Sequence, residues 1–286
     1  MEVCTEAAIR IKPRKGPPDM AWEVDDFATL LAIEAHGPDV FVGISPTYPW
    51  GRVYGGQVVA QGLRAAQTTV DKEYQVHSLH AYFIRGGNSD EPIRYEVDRI
   101  RNGRSFVTRR VVARQSEGAI LNLACSFQIS EEQADVQESQ LPEDAGEPGS
   151  GIVDDWEFLG RRVAHQSIGR SAIWLRVLDQ IGEDPDLQAC ALAYVSDDIP
   201  MDAVQSTHPR VSAARSDAIN DEFVWTSLDH SIWFHRPLPP DQWLLHHHRS
   251  HGLANARGLA VGEVFAPSGV HVATVAQEVL IRERIN

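Results

Sequence analysis

Cysteine is scarce in this chain of 286 residues: Cys4, Cys125 and Cys190 are too few and too scattered for a disulfide framework or a metal knuckle. A reducing, cytoplasmic setting is expected. Long apolar runs are missing as well. Nothing approaches the roughly 20 apolar residues of a membrane span, and the opening MEVCTEAAIRIKPRKGPPDM lacks an apolar run of signal-peptide length. The closing IRERIN carries no address signal. Positive charge is in deficit, with 26 Lys and Arg against 40 Asp and Glu, so a basic nucleic-acid footprint is absent and that class of partner is disfavoured. No G-x-S-x-G occurs, which removes the nucleophile elbow that a serine-hydrolase triad would want.

The hydrophobic fraction, 43%, is ordinary for a globular protein, and the length suits two ordinary domains or one large one. The negative charge is unevenly spread. Residues 131–155, EEQADVQESQLPEDAGEPGSGIVDD, hold nine acids and no Lys or Arg, which leaves only −5 of the net −14 for the rest. An acidic run with Gly and Pro between apolar segments reads as an exposed linker that divides the chain almost in half.

That division prompts a search for an internal repeat. YFIRGGNSDEP (82–92) resembles WFHRPLPPDQW (233–243), NGRSFVTRRVVARQSEG (102–118) resembles NARGLAVGEVFAPSG (255–269), and LNLACSFQI (121–129) resembles ATVAQEVLI (273–281), at offsets between 151 and 153. Within the last pair, Leu121, Leu123, Cys125, Phe127 and Ile129 make one apolar strand face, and Ala273, Val275, Gln277, Val279 and Ile281 the other. Gln277 stands where Cys125 stands. A buried carboxamide without partners costs about 1–3 kcal/mol, so Gln277 is either tied to a neighbour or faces something other than core.

Residues 55–70, GGQVVAQGLRAAQTTV, read as a largely buried helix opening on a glycine pair, with Gln57, Gln61, Arg64 and Gln67 at helical spacing. Its start could offer free N–H groups to a carbonyl or a phosphate. RSAIWLRVLDQIG (170–182) also reads as helical. DPDLQACALAYVSDD (184–198) follows with Asp184 as N-cap and Pro185 in the first turn. It brings Asp197 and Asp198 to a C-terminal end, where the helix dipole disfavours anions, and Pro200 limits its continuation. Periodicity does not choose between the two aspartates.

WTSLDHSIWFHRP (225–237) reads as strand, with Trp225, Ser227, Asp229, Ser231 and Trp233 on one face and Thr226, His230 and Phe234 on the other. Asp229 and His230 therefore point apart and make no catalytic pair. HHHRSH (246–251) tempts one toward a metal, but strand alternation puts only His246 and His248 on one face, and an exposed strand is the expectation.

Together, VYGGQVVAQGL, VHSLHAYFIRGG, RNGRSFVTRRV, SLDHSIWFHRP and ARGLAVGEVF...GVHVATVAQE resemble the type II acyl-CoA thioesterase family, the TesB-like enzymes, in order over most of residues 22–283. The resemblance implies an α+β double hotdog, two tandem repeats of antiparallel sheet wrapped around central helices. The expected layout is an N-terminal extension over 1–20, possible disorder included, then a hotdog over 21–130, a linker over 131–155 and a catalytic hotdog over 156–286. It implies hydrolysis of fatty acyl-CoA to fatty acid and CoA, with Asp197 of YVSDD, Ser227 in place of the family's more usual threonine, and Gln277 of TVAQE around an attacking water. TVAQE has one alanine more than the family's TVQE. Asp229 is the rival to Asp197. Gly55 and Gly56 are nominated for the oxyanion, and Arg104 and Arg257, which match in the repeat, for CoA phosphates, though a structural salt bridge would equally explain either arginine. No cofactor or metal is implied, and a homodimer or homotetramer is expected. A hotdog hydratase or dehydratase would want an acid and a histidine a few residues apart at the start of the central helix, and neither GGQVVAQGL nor SDDIPMDAV offers them. A non-catalytic acyl-CoA-binding protein would not need the polar trio.

Overall fold

Alternating apolar residues along both halves build strands that join edge to edge into one antiparallel sheet of fourteen strands in the computed structural model, which describes residues 24–213 and 222–284. The extension expected over 1–20, with Cys4, lies outside them. The first half comprises α1 (Phe27–Leu31), β1 (Glu34–Ala35), β2 (Val40–Gly43), α2 (Gly55–Gln67), β3 (Tyr74–Phe83), β4 (Ile93–Asn102), β5 (Phe106–Gln115) and β6 (Gly118–Ile129). The second comprises β7 (Ile152–Val153), β8 (Leu159–Ser167), β9 (Arg170–Val177), α3 (Pro185–Ser196), α4 (Pro200–Gln205), α5 (Pro209–Ala213), β10 (Phe223–Ser227), β11 (Asp229–Phe234), β12 (Leu244–Ala254), β13 (Arg257–Phe265) and β14 (His271–Glu283).

Strand order makes the repeat visible. One half runs β2-β4-β5-β6-β3 and the other, read inward from its far side, β9-β12-β13-β14-β11, with β3 and β11 joined at the centre. His80 and Ser231, 151 residues apart, face each other across that seam, Nδ1 3.1 Å from Oγ. Equivalent residues thus meet, as a local two-fold requires. This is the double hotdog, and a single core spans both halves, from Val59 and Leu63 of α2 through Leu79 and Leu123 to Ala191, Ile232 and Val275.

α2 is buried because it is uncharged apart from Arg64 and lined with small residues. Its glutamines are buried and satisfied. Gln57 Nε2 donates to the Ile44 carbonyl (2.9 Å) while its Oε1 accepts from Ser45 and Tyr48, and Gln61 Oε1 accepts from the Tyr95 hydroxyl (2.7 Å). α3 carries the expected cap, Asp184 accepting from the Asp186 N–H at 3.0 Å.

Two expectations fail. Residues 170–177 form β9 rather than a helix, because Ser171, Ile173 and Leu175 are all buried between β8 and β12, and sheet pairing on both sides overrides a local pattern short enough to fit either period. The strand at 246–251 is correct but its histidine face is not exposed. His246 and His248 share a face, as expected, and that face lies inside, fully buried, with rings stacked 6.2 Å apart.

The start of α2 meets the last turn of α3 at the glycine pair. A Cβ on Gly56 would collide with the Tyr194 carbonyl oxygen of α3 and crowd the Tyr54 ring. Gly56→Ala is expected to lower unfolding free energy by about 1–3 kcal/mol, the usual cost of overpacking, read as a lower denaturant midpoint at unchanged slope.

Candidate active site

The break between α3 and α4 delivers the carboxylates. Asp197 is the C-cap of α3 and Pro200 starts α4, so 197–199 leave the helix at its negative end. The structure then separates the two aspartates that periodicity left equal. Asp198 is bound by Arg161 (Nε to Oδ2, 2.9 Å), and the same guanidinium also holds Asp154 and Asp202. Asp197 has no such cation. Burial pushes its carboxyl up to about 8, and the Asp198 charge adds to this, while the Gly56 N–H and the Gln277 amide pull against it. Its Oδ1 is buried with no hydrogen-bond partner among the described residues.

Ser227 and Gln277 reach the same place through a β-bulge. Ser227 pairs with Val279 and Ser231 with Ala276, so Leu228 and Asp229 together stand opposite Glu278. The extra residue changes the faces. By strict alternation Ser227 and His230 would point apart; here both meet the inward Gln277, whose Nε2 donates to Ser227 Oγ at 2.6 Å and whose Oε1 lies 2.5 Å from His230 Nδ1. The expected face assignment over 225–234 is therefore corrected at Leu228. Asp229 secures the bulge, accepting from the Glu278 N–H at 2.7 Å, which is the structural role expected of it.

A cavity of about 620 Å³ opens over Asp197 and Ser227, walled by Val53, Val58, Phe83, Ile84, Ile120 and Met201 and reaching Gly55, while Gln277 and His230 lie buried behind that lining. Its size falls in the range of small-molecule sites. Arg52 and Arg85, both exposed, stand in its lining and, among the described residues, bond to the Trp225 and Glu117 carbonyls respectively.

Three of the nominated residues do not line the cavity. Arg104 lies in the β4–β5 turn and Arg257 pairs with Glu278 (2.9 Å), and neither lines the cavity. Gly56 does not line it either, and its N–H acts on the Asp197 carboxyl, pulling its pKa down against burial. Gly55 does line the cavity, and a Cβ there would stand 2.7 Å from Asp197 Oδ2, so glycine is what allows the approach. Arg52, Arg85 and His230 were missed. The repeat held the signal for Arg85, since it aligns YFIRGG with WFHRP. Its counterpart Arg236 is occupied by Asp135 and the His271 carbonyl, whereas Arg85 has no ion pair among the described residues.

The same register shows why only one end brings these side chains together. In the first half His77 and Ser78 oppose Ser126 in an identical bulge, so Val76 stands for Ser227, Leu79 for His230 and Cys125 for Gln277, while the C-cap of α2 is Thr68. A second cavity of about 510 Å³, lined by Val76, Pro185, Phe234 and Arg236 among others, occupies the related position; among its polar groups, Gln128, Ser130 and Glu131 come from the end of β6 and the residues after it rather than from the positions matching Asp197, Ser227 and Gln277.

Two family models match, the acyl-CoA thioesterase N-terminal domain over residues 44–128 and the acyl-CoA thioesterase C-terminal domain over 133–281. Acyl-CoA thioesterase 2 of Haemophilus influenzae is 30% identical, covering 88% of this chain and 96% of that protein. Acyl-coenzyme A thioesterase 8 of Homo sapiens is also 30% identical, covering 89% and 88%. The crystal structure of the acyl-CoA thioesterase II TesB2 from Mycobacterium marinum superposes with a TM-score of 0.79 at 34% identity, over 90% of this chain and 98% of that one. A hot dog fold protein from Alicyclobacillus acidocaldarius, 18% identical, superposes at 0.72 over 91% and 98% and supports the fold.

The raised Asp197 carboxyl has a consequence for stability. The folded state holds this proton to about pH 8, and the unfolded state releases it near the ordinary value of 3.8. Stability therefore falls as pH rises between those values, by up to about 1.4 kcal/mol per unit. Asp197→Asn is expected to differ little from the parent near pH 4 and to be more stable by on the order of a few kcal/mol above pH 8, in denaturant titrations at the two pH values.

Proposed function

The chain belongs to the type II acyl-CoA thioesterase family, and we propose that it hydrolyses fatty acyl-CoA through a water activated by Asp197, Ser227 and Gln277. The observation that carries this reading is the convergence of a buried carboxylate with an unpartnered Oδ1 and a hydroxyl, both lining one cavity, with the Gln277 amide bonded to that hydroxyl from behind. Gln277 Nε2 and Ser227 Oγ orient the water, and Asp197 takes its proton as the oxygen attacks the thioester carbon. The carbonyl oxygen becomes an oxyanion, with the Gly55 N–H as the proposed donor at the positive end of α2. Collapse breaks the C–S bond, and the proton held on Asp197 passes to the departing thiolate. No acyl-enzyme forms.

A base must be ionised to act, so turnover rises with pH as Asp197 loses its proton near 8. The ring of His230 does not compete for that proton, since burial pushes its pKa down to about 4. The acyl chain follows the apolar wall, and Arg52 and Arg85 meet the CoA phosphates at the solvent edge.

Thiol release from acyl-CoA is the test. The parent should show kcat/KM rising through about pH 8, and Asp197→Asn and Gln277→Ala should each lose at least tenfold in kcat while folded, within the 10²–10⁴ that general-base help supplies. Binding of acyl-CoA without thiol release by the parent would replace hydrolysis with a binding role. Arg85→Ala and Arg52→Ala should raise KM for acyl-CoA by roughly 3- to 30-fold, as expected for a charge-assisted hydrogen bond. Thioesters of a phosphate-free pantetheine should not distinguish either variant from the parent.

A further inference from the structure

Resting on the hydrolytic reading above, we infer that His230 is a positioning residue that fixes which end of the Gln277 amide faces the reaction. The two ends of a carboxamide have nearly the same shape and opposite hydrogen-bonding character, so rotation by half a turn exchanges donor for acceptor. A water-orienting role needs one of those states and not the other.

The surroundings of Gln277 form a chain. Ser196 Oγ lies 2.9 Å from His230 Nε2, His230 Nδ1 lies 2.5 Å from Gln277 Oε1, and Gln277 Nε2 lies 2.6 Å from Ser227 Oγ. All of His230 and Gln277 is buried, so water does not substitute for a missing partner. Such a chain has two self-consistent polarities. In one, Ser196 donates to Nε2, Nδ1–H donates to Oε1, and the amide N–H groups face Ser227 and Asp197. In the other every arrow reverses, Ser196 donates to the Ala193 carbonyl 3.2 Å away, and the amide oxygen turns toward Asp197. An ionised Asp197 selects the first, because a carboxylate attracts N–H and repels a carbonyl oxygen.

His230 is suited to hold that state. It is neutral, because burial strips away its second proton, so it has one N–H to give and one lone pair to fill. Remove it, and Oε1 becomes a buried acceptor without a donor, which the amide relieves by rotating away from its working orientation. The first half supplies the comparison. There Leu79 occupies the position of His230, and Cys125 that of Gln277, both buried; the two polar residues are present together in one copy and absent together in the other.

Two variants and one spectrum test this. His230→Leu installs the residue of the first copy, and His230→Asn places an amide N–H close to where Nδ1–H stands. Expected is a fall in kcat of roughly 10- to 100-fold for Leu, the scale of a misplaced reacting group, with KM changed by less than about 2-fold and most of the loss restored by Asn. Nitrogen-15 spectra of the histidine-labelled parent should show His230 neutral, with its proton on Nδ1. The inference is overturned if His230→Leu keeps the parent kcat, if folded Leu and Asn variants are equally impaired, or if the proton resides on Nε2. Should the parent release no thiol from acyl-CoA, the hydrolytic reading falls while the tautomer still decides the orientation of Gln277.

Discussion

A carboxylate held at the negative end of a buried helix is the constraint on which the site depends. Asp197 caps α3 where the dipole and the lack of water both oppose its charge. What makes the position tenable is the start of α2, brought from the other half of the chain. The Gly56 N–H faces Asp197, the Tyr54 hydroxyl donates to the Tyr194 carbonyl at 3.0 Å, and Gly55 and Gly56 leave room for both approaches. The positive end of one helix thus answers the negative end of the other. Neither half alone could provide this arrangement, and the shared core from α2 to β14 keeps them in register.

Duplication explains the frame and divergence explains the chemistry. Strand order, seam and bulge recur in both copies, so the backbone offers two related cavities. Only one brings a carboxylate, a hydroxyl and a buried amide together at the helix end and the bulge. Val76 and Cys125 in the first copy are buried apolar packing and Thr68 is an exposed helix cap, whereas Asp197, Ser227 and Gln277 occupy the matching positions in the second. A polar group in a core is costly without partners, and here the partners are present: His230, itself bonded to Ser196, for Gln277, and Arg161 for Asp198 beside Asp197.

The paired arginines carry the same asymmetry to the solvent edge. Arg236 is neutralised by Asp135, which belongs to the acidic stretch after β6, whereas Arg85 keeps its charge unspent beside the polar cavity. The stretch that reads as a bare linker therefore binds across one end of the molecule, with Gln137 joining the Gly269 carbonyl and the His271 N–H at 2.8 Å each.

Much of this was legible in the amino acids. The offset of 151 to 153 revealed two copies, the family's motifs fell in order, and Gln277 stood out because alternation put a polar residue on an apolar face. The capped helix from Pro185 to Ser196 was equally plain, since Asp184, Pro185 and the following apolar run act within a few residues of one another. Such signals are local, or repeat locally. The choice of Asp197 over Asp198 was not local, for it depended on Arg161, 37 residues away in sequence beside Asp198. Nor was β9, where pairing with β8 and β12 outweighed a pattern that suited a helix. The bulge at Leu228, which turns Ser227 and His230 to one side, is set by pairing with β14, and a count of alternating residues does not contain it. The sequence by itself determined the repeat, the family and the kinds of residue available for chemistry. Which of them meet, and with what charge, was decided by tertiary structure, because burial and hydrogen-bond partners come from chain segments far apart in sequence.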